Sequence, residues 1–397
     1  MNVQTSYSVA RTPVDTPAPL ICFSHLRWDF VIQRPQHLMR RFAKTRPVWF
    51  WEEMIPTDHS LPYLEFHAFQ GTSVQAIRPR VPHHFSPAEV DRALAGLLDQ
   101  LLIITGARLP VLWFYTPQMW SFARHVAASA VVYDCMDELS SFRFAPADLR
   151  ANERALMAAA DVVFTGGYSL YEAKRDQHHN IHPFPSSVDA AHFAAARKAV
   201  ADPADQAPIS GPRLGYYGVI DERLDFDLLA AAAKARPDWQ IVMVGPVSKV
   251  DPATLPQAPN LHWLGQKSYD QLPAYLAGWD VALMPFAINE ATRHISPTKT
   301  LEYLASGRQV VSTPVRDVVR HYSDVRALRI AEDAAGFIAA CDYLLAQRDA
   351  HAKWLPQVDR LLTSYSWDAT FRKMDDLITE AVAERSLPQA TFDRVDA

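Results

Sequence analysis

The segment from residue 296 to residue 314 is the most chemically suggestive part of the chain and reads S-P-T-K-T-L-E-Y-L-A-S-G-R-Q-V-V-S-T-P. Two hydroxyl residues, Ser296 and Thr298, precede a short predicted helix that carries Lys299 and Glu302. A helix start presents N–H groups and partial positive charge that favour a phosphate, and Lys299 adds a full charge. Glu302 lies on the same helix face and can accept sugar hydroxyls. The pattern predicts a phosphate and sugar site; a solvent-exposed Lys–Glu pair is the alternative.

This segment resembles the donor-binding segment of retaining glycosyltransferases of the GT-B fold. In those enzymes a Glu-(seven residues)-Glu pattern precedes a Gly and a Val-Val strand, and the second Glu holds the ribose of the nucleotide sugar. Glu302 matches the second Glu, whereas the first falls at His294, with Glu290 close enough upstream to take its place. The resemblance implies an α/β protein with two Rossmann-like βα domains facing a cleft and a C-terminal helix that crosses back to the first domain.

A glycine and an arginine follow the first strand predicted for the second half of the chain. Gly218 ends that strand, where the lack of a side chain lets backbone N–H groups approach a ligand, and Arg223 follows in the loop. Retaining GT-B enzymes carry an Arg directly after this Gly and a Lys about five residues later, and both bind the diphosphate. Val219 and Leu224 occupy these two places here, so the resemblance leaves Arg223 as the diphosphate ligand of this loop.

Arg223 and Lys299 are the predicted catalytic cations. A leaving diphosphate gains negative charge as its bond to the sugar breaks, and two cations beside it stabilise that charge. The resemblance then implies sugar transfer without a metal ion. A surface salt bridge of Arg223 with Asp221 or Asp225 is the alternative interpretation.

Three further loops complete the predicted donor site. Gly245 ends one strand, and Gly265 with Gln266 follows the next; the resemblance places both loops beside the nucleotide base. Asn289 and Glu290 come directly after an apolar strand, where polar side chains are typical of a binding site. A simple turn is the alternative for Gly245.

The first half of the chain carries the string W-D-F-V-I-Q-R-P-Q-H-L, which begins at Trp28 after a predicted strand. This string resembles a bacterial subgroup of GT-B glycosyltransferases. Trp28 can stack on a sugar ring, and Arg34 at a helix start can bind phosphate, so we assign both, together with His25, to the acceptor side. The alternative is that Trp28 and His37 pack against the second strand.

Three carboxylates lie close together at the end of another predicted strand, in the sequence D-C-M-D-E from residue 134 to residue 138. Carboxylates at the ligand-binding edge of a sheet serve as bases or accept sugar hydroxyls. We expect Asp134 to hold the loop and Asp137 to reach the acceptor as a catalytic residue. Because an Asp-x-Asp spacing is absent from this run, no metal site is predicted.

Composition places the chain among folded soluble proteins: of its 397 residues, 49% are hydrophobic and 21% are charged. The net charge of −5 gives no reason to expect nucleic-acid binding. Three distant cysteines, Cys22, Cys135 and Cys341, are expected to be reduced core residues. No apolar run suits a signal peptide or a membrane span, so we expect a cytoplasmic protein, with the inner face of the membrane as an alternative location.

Short apolar runs alternate with helical patterns along the chain, which is typical of parallel sheets built from βα units. A Pro- and Asp-rich stretch without periodicity at 201–212 divides them into two halves. We predict an acceptor-side domain at 18–205, a nucleotide-sugar domain at 213–365, a flexible segment at 1–17, and a crossover helix with a tail at 366–397. The predicted strands are Leu20–Ser24, Val48–Trp51, Val74–Ile77, Val111–Tyr115, Val131–Asp134, Val162–Thr165, Leu214–Tyr217, Ile241–Val244, Leu261–Leu264, Val281–Met284, Val310–Ser312 and Leu328–Ile330.

The resemblance implies a metal-independent hexosyltransferase that moves a sugar from a nucleoside diphosphate donor to a glycan or lipid-linked acceptor in bacterial surface polysaccharide synthesis, with retention. The donor is a substrate, and no cofactor is expected. Two alternatives stay open: a nucleotide-sugar 2-epimerase of the same plan, and a non-catalytic glycan- or nucleotide-binding protein. The sequence leaves open the sugar, the base, the identity of the acceptor, the linkage formed, retention against inversion, contact with a membrane surface and the oligomeric state.

Overall fold

The structure, a computed structural model, describes residues 17–142, 145–198, 200–347 and 351–386. The predicted flexible segment at 1–17 lies, apart from residue 17, outside the described residues, and so does the tail after residue 386. Within the described ranges the chain forms two βα domains, each built on one sheet.

The first domain is a predominantly parallel sheet covered by helices. Its strands are β1 (Leu20–Phe23), β2 (Val48–Trp51), β3 (Ile55–Thr57), β4 (Tyr63–Ala68), β5 (Gln75–Pro82), β6 (Val111–Phe114), β7 (Ala130–Cys135), β8 (Val162–Thr165) and β9 (Ile181–Pro183). Its helices are α1 (Arg34–Phe42), α2 (Pro87–Thr105), α3 (Trp120–Ala123), α4 (Leu149–Ala159) and α5 (Tyr168–Lys174). The next helix, α6 (Ala190–Ala194), follows β9 but packs against the second domain, where Phe193 is buried in the hydrophobic cluster.

The strands of this sheet lie in the order β3-β5-β2-β1-β6-β7-β8-β9, and β4 pairs with β5. All pairs are parallel except β4 with β5. The central strands β1, β2, β6, β7 and β8 are buried along their whole length, because helices cover both faces of the sheet.

The second domain has a six-stranded parallel sheet. Its strands are β10 (Arg213–Tyr217), β11 (Gln240–Val244), β12 (Leu261–Trp263), β13 (Val281–Met284), β14 (Gln309–Ser312) and β15 (Leu328–Ile330), and its helices are α7 (Phe226–Ala235), α8 (Leu272–Ala277), α9 (Lys299–Ala305), α10 (Arg316–Tyr322), α11 (Ala334–Leu345) and α12 (His351–Leu362). The strand order is β12-β11-β10-β13-β14-β15. The order reverses between β10 and β13, which is where doubly wound sheets open a crevice for ligands.

The predicted linker at 201–212 packs against the second domain. Gln206 is fully buried and accepts a hydrogen bond from the indole N–H of Trp279 at 2.9 Å. Asp202 forms an ion pair with Arg213 at 2.6 Å, at the start of β10. Through these contacts the linker is held against the second domain.

The last described helix, α13 (Trp367–Ser386), returns to the first domain. Trp367, Met374 and Ile378 are buried in the same hydrophobic cluster as Leu38 of α1. The Trp367 ring also stacks on His37, with centroids 4.7 Å apart. Neither this 20-residue helix nor any other in the described ranges is apolar enough over a sufficient length to cross a membrane.

Every predicted strand is present, and only β5 extends more than one residue beyond its prediction. The structure adds β3, β4 and β9, which the apolar pattern did not indicate. Strands β3 and β9 are three residues long, contain a proline and lie at the two ends of the strand order, where a missing N–H donor is tolerated. The predicted arrangement of two Rossmann-like domains with a returning C-terminal helix is therefore what the structure shows.

We predict that Trp367→Ala lowers the free energy of unfolding by about 3–5 kcal/mol, because a large aromatic side chain that is 2% exposed leaves a cavity when truncated. Denaturant unfolding followed by tryptophan fluorescence and circular dichroism measures the change. Lys373→Ala, on the exposed side of α13, is the matched control and should change stability by less than about 0.5 kcal/mol. Equal stability of the two variants would show that α13 does not hold the first domain.

Candidate active site

A cavity of about 780 Å³ lies between the two domains, at the edge where the strands of both sheets end. The first domain lines it with the segment from Trp28 to Arg34 and with loops that follow β4, β7 and β8. The second domain contributes the loops after β10, β11 and β12, the segment before α9 and the start of α9 itself. Among the predicted site residues, the cavity is lined by Trp28, Arg34, Asp137, Gly218, Arg223, Gly245, Gln266, Ser296, Thr298, Lys299 and Glu302.

The carboxylate of Glu302 is held by a tyrosine. The hydroxyl of Tyr217 donates a hydrogen bond to Oε2, while Oε1 has no hydrogen bond within the described residues. Glu302 is only 8% exposed, and burial raises its pKa, although the Tyr217 hydrogen bond and the charge of Lys299 oppose that shift. One carboxylate oxygen is thus oriented by the protein, and the other can accept ligand hydroxyls.

Lys299 lies against the backbone of Gly218. A Cβ at residue 218 would overlap the Lys299 side chain, and a Cβ at residue 245 would overlap the carbonyl oxygen of Gly218. Gly218 and Gly245 have φ of 139° and 151°, a backbone region that favours glycine. The Lys299 ammonium lies 5.8 Å from the ring centroid of Tyr216, and burial lowers its pKa while Glu302 opposes that shift. Two glycines therefore make room for a cation at the cavity wall.

Arg223 forms the predicted salt bridge with Asp221, yet still lines the cavity. Its Nε and Nη2 donate to the two carboxylate oxygens at 2.9 and 2.7 Å. Nη1 makes no hydrogen bond with the part of the chain that the structure describes. The ion pair, which was the alternative interpretation, fixes the guanidinium plane and leaves one nitrogen without a hydrogen bond in the described residues. The role of Arg223 as a diphosphate ligand stays a prediction.

The structure corrects the assignment of Arg34 as a phosphate ligand. Its Nε and Nη2 donate to the carboxylate of Asp134 at 2.9 Å, and its Nη1 donates to the carbonyl oxygen of Phe184 at 2.6 Å. All three nitrogens are engaged within the first domain, and the side chains of both charged residues are at most 4% exposed. Arg34 thereby joins the start of α1 to the end of β7, and Asp134 holds its loop as expected.

Asp137, three residues further along, lines the cavity instead. Burial raises its pKa, and the charges of Arg223 and Lys249 act in the opposite direction. The carboxylate comes from the first domain, whereas these cations come from the second. A ligand bound between the domains would therefore lie close to Asp137 of the first domain and to cations of the second domain.

The remaining acceptor-side assignments are also corrected. Trp28 is 3% exposed, and its ring packs edge-on against Phe50 of β2 at 5.0 Å and near Phe69 at 6.2 Å between centroids. The alternative of packing against the second strand is therefore confirmed for Trp28, whereas His37 packs against Trp367 and Tyr269. His25 is not among the residues that line the cavity. Its Nδ1 is buried without a partner in the described residues, and burial together with Lys249 lowers its pKa to about 4.

Asn289 and Glu290 also lie outside the cavity lining. The side chain of Asn289 accepts a hydrogen bond from the backbone N–H of Thr292 at 3.2 Å and caps a short 3₁₀ turn. Glu290 is exposed and forms an ion pair with Arg293 at 2.6 Å. Local capping and a surface ion pair therefore account for both residues, and Glu290 does not take the place of the family's first Glu.

Gly265 and Gln266 shape the edge of the cavity. Gly265 has φ of 69°, and its carbonyl oxygen accepts a hydrogen bond from the N–H of Gly245 at 2.9 Å. The turn brings Gln266 into the lining, where its side-chain amide donates to the carbonyl oxygen of Phe30 at 2.8 Å. Gln266 thus joins the two domains across the cleft.

Several lining residues escaped prediction from the sequence. Tyr217 lies directly before Gly218, and this position at the end of an apolar strand is the signal that could have pointed to it. Phe69 and Gln70 follow β4, a partly exposed strand that apolar runs do not reveal. The hydroxyl of Tyr269 is buried without a partner in the described residues and has no local sequence signal.

Solved structures share this architecture. Sucrose-phosphate synthase from Thermosynechococcus elongatus matches with a TM-score of 0.69 and 15% identity, covering 92% of this chain and 100% of that one. HepE from Anabaena, in complex with UDP and glucose, matches with a TM-score of 0.66 and 10% identity, covering 91% and 99%. At these identities the likeness shows the fold, which is GT-B, as the sequence predicted.

Sequence comparisons narrow the class of protein. Residues 211–347 match the family model described as "Glycosyl transferases group 1". TuaH of Bacillus subtilis, named as a glycosyltransferase of teichuronic acid biosynthesis, is 26% identical over 310 residues, which cover 71% of this chain and 75% of TuaH. Together with the fold, these findings support a GT-B glycosyltransferase that carries a group 1 domain in its second half.

We predict that Glu302→Gln weakens the binding of the cognate nucleoside diphosphate by about 1.5–3 kcal/mol, the range for a hydrogen bond to a charged group. The expected reason is the loss of a carboxylate that accepts ribose hydroxyls and is held by Tyr217. Isothermal titration calorimetry measures the change. Glu290→Gln is the matched control, since this exposed glutamate lies outside the cavity lining and should leave the affinity unchanged. Unaltered binding by the Glu302 variant would remove Glu302 from the site.

Proposed function

We propose that this chain transfers a sugar, with retention, from a nucleoside diphosphate donor to a glycan or lipid-linked acceptor in the synthesis of a bacterial surface polysaccharide. The observation that carries the proposal is the shared position of Glu302, Lys299 and Arg223 on the second-domain wall of the cavity, with Asp137 contributed by the first domain. The name of TuaH supports a surface polymer as the product. The UDP and glucose bound to HepE, which has the same fold, support a nucleoside diphosphate donor.

The donor occupies the second-domain side in this proposal. Its ribose hydroxyls hydrogen-bond to Glu302, and its diphosphate lies between Lys299 and the uncommitted Nη1 of Arg223. The loops that carry Gly245 and Gln266 border the base. A hexose on the diphosphate then points toward the first domain and Asp137.

Transfer breaks the bond between the anomeric carbon and the phosphate oxygen. The leaving diphosphate gains one negative charge, which Lys299 and Arg223 stabilise without a metal ion. The acceptor hydroxyl attacks the same face of the sugar, and its proton passes to an oxygen of the leaving phosphate. Asp137 accepts a hydrogen bond from that hydroxyl and orients it, so the protein contributes placement and charge stabilisation.

The function is tested by donor binding followed by turnover. One of UDP-, GDP- or dTDP-glucose and their galactose counterparts should stabilise the fold, by about 2.7 kcal/mol at 100 times its dissociation constant. Nucleoside diphosphate release from that donor should then rise with added oligosaccharide acceptors and persist in excess EDTA. An epimerase would convert the donor without acceptor, and a binding protein would not turn it over. Loss of activity in EDTA that Mg²⁺ restores would contradict metal independence.

The two walls of the cavity should respond differently to substitution. Lys299→Ala should lower kcat by about 2 kcal/mol in barrier, roughly 30-fold, because it removes charge stabilisation of the leaving group. Asp137→Asn should suppress transfer while leaving nucleoside diphosphate affinity within about twofold, since in this proposal Asp137 does not contact the nucleotide of the donor. Lys234→Ala, on the exposed face of α7, is the control for Lys299. Weakened nucleotide binding in the Asp137 variant would contradict this division between the domains.

A further inference from the structure

A second cavity, of about 370 Å³, adjoins the first-domain side of the cleft. It is lined by the acidic loop after β7, by α4 and by the end of α5, and His294 reaches it from the second domain. The residues that matter for its chemistry are Glu138, Arg150, Glu153, Arg154, Lys174 and His294.

The second cavity continues the candidate active site. Asp137 lines the main cavity and Glu138, its neighbour in sequence, lines the second one. On the facing domain, Ile295 lines the main cavity and His294 lines the second one. Because consecutive residues of both domains line the two cavities, the cavities are neighbours, and an acceptor bound at Asp137 would lie next to the second one.

The base of the second cavity is a hydrogen-bonded cluster of one lysine and two glutamates. Lys174, whose side chain is 4% exposed, donates from Nζ to Glu138 at 2.8 Å and to Glu153 at 2.7 Å. Glu153 also accepts the hydroxyl of Tyr133 at 2.8 Å. Both carboxylates are therefore engaged by donors of the protein and are not available to hold a ligand cation.

Two arginines that line the same cavity have no partner among the residues that the structure describes. Arg150 and Arg154 are four residues apart on α4, so their side chains leave the same face of the helix. Both are exposed, and neither forms a hydrogen bond or an ion pair with any residue in the described ranges. Two guanidinium groups that line the same concave surface are suited to bidentate recognition of a carboxylate or a phosphate.

We propose that the second cavity binds an anionic group, a carboxylate or a phosphate, on the sugar acceptor, through Arg150 and Arg154. The inference rests on the proposed function, because it makes the acceptor an acidic glycan or a phosphorylated one. The arginines contact the anionic group of the acceptor, whereas Asp137 contacts its attacking hydroxyl, so the arginines select the acceptor and do not touch the reacting atoms. The position of His294 beside them means that the second domain closes the same subsite.

The experiment compares three sugars with the same ring: methyl glucuronide, glucose 6-phosphate and neutral methyl glucoside. Their affinities for the full chain are measured by ligand-observed NMR titration, with and without the nucleoside diphosphate that the donor screen identifies. At least one anionic sugar should bind about tenfold more tightly than methyl glucoside, as expected for hydrogen bonds between charged groups. Preference for methyl glucuronide identifies a carboxylate as the natural group, and preference for glucose 6-phosphate identifies a phosphate.

The double variant Arg150→Gln/Arg154→Gln should bring the anionic and neutral sugars within about twofold of each other. Arg108→Gln is the matched control: this exposed arginine precedes β6, at the opposite edge of the sheet, and should keep the preference. A wild-type chain that binds neither anionic sugar more tightly than methyl glucoside would overturn the inference, as would a preference that survives in the double variant. Thermal unfolding of both variants checks that the fold is retained.

Nucleotide binding separates this inference from the function on which it rests. If the chain binds a nucleoside diphosphate but shows no preference for an anionic sugar, only the assignment of the second cavity as an anion-binding subsite is wrong. If it binds none of the UDP, GDP or dTDP series, the proposed function fails, whatever the sugars do. The Arg150 and Arg154 variants should leave nucleoside diphosphate affinity unchanged, since both residues lie outside the main cavity.

Discussion

A buried carboxylate of the second domain, that of Asp317 in α10, binds the first domain directly. Its two oxygens accept hydrogen bonds from the backbone N–H groups of Tyr168 and Ser169, at 3.0 and 2.9 Å, where α5 begins. A buried carboxylate is costly unless its oxygens are hydrogen-bonded, and a helix start supplies both N–H donors and a favourable dipole. A Cβ at residue 167 would overlap the Asp317 side chain, so Gly167 is required for this approach. The contact holds α10 of the second domain against the start of α5 in the first domain.

The cavity between the two domains is lined by charged groups of both signs. Burial lowers the pKa of Lys299 and raises those of Glu302 and Asp137, so each group is pushed toward its neutral form. The opposite charges around each group counteract this effect. A ligand whose negative charge meets Lys299 and Arg223, and whose hydroxyls meet Glu302, would satisfy groups that the protein itself leaves partly unpaired. Such preorganised charge is the form in which proteins stabilise a developing anion.

The sequence was most informative where structure is decided locally. Apolar runs located the strands, and the helix start at Lys299 placed that cation and Glu302 on one cavity wall, because residues three apart share a helix face. It was least informative where the decisive partner is distant. Arg34 meets a carboxylate 100 residues away, and nothing near it in sequence indicates that partner. Asn289 is different, since an Asn followed three residues later by Thr292 is a capping pattern that could have been recognised.

Arg34 and Asp134 look like ligand-binding residues in the sequence, but in the structure they bind each other. It ties the start of α1 to the end of β7, and so fixes the loop in which Asp137 and Glu138 follow. Asp137 then lines the main cavity, while Glu138 is drawn to Lys174 and lines the second one. A free Arg34 could bind phosphate, but it would leave a buried carboxylate unpaired at the root of that loop, at a cost of several kcal/mol. The charged pair therefore serves the site by positioning the acidic loop between the two cavities.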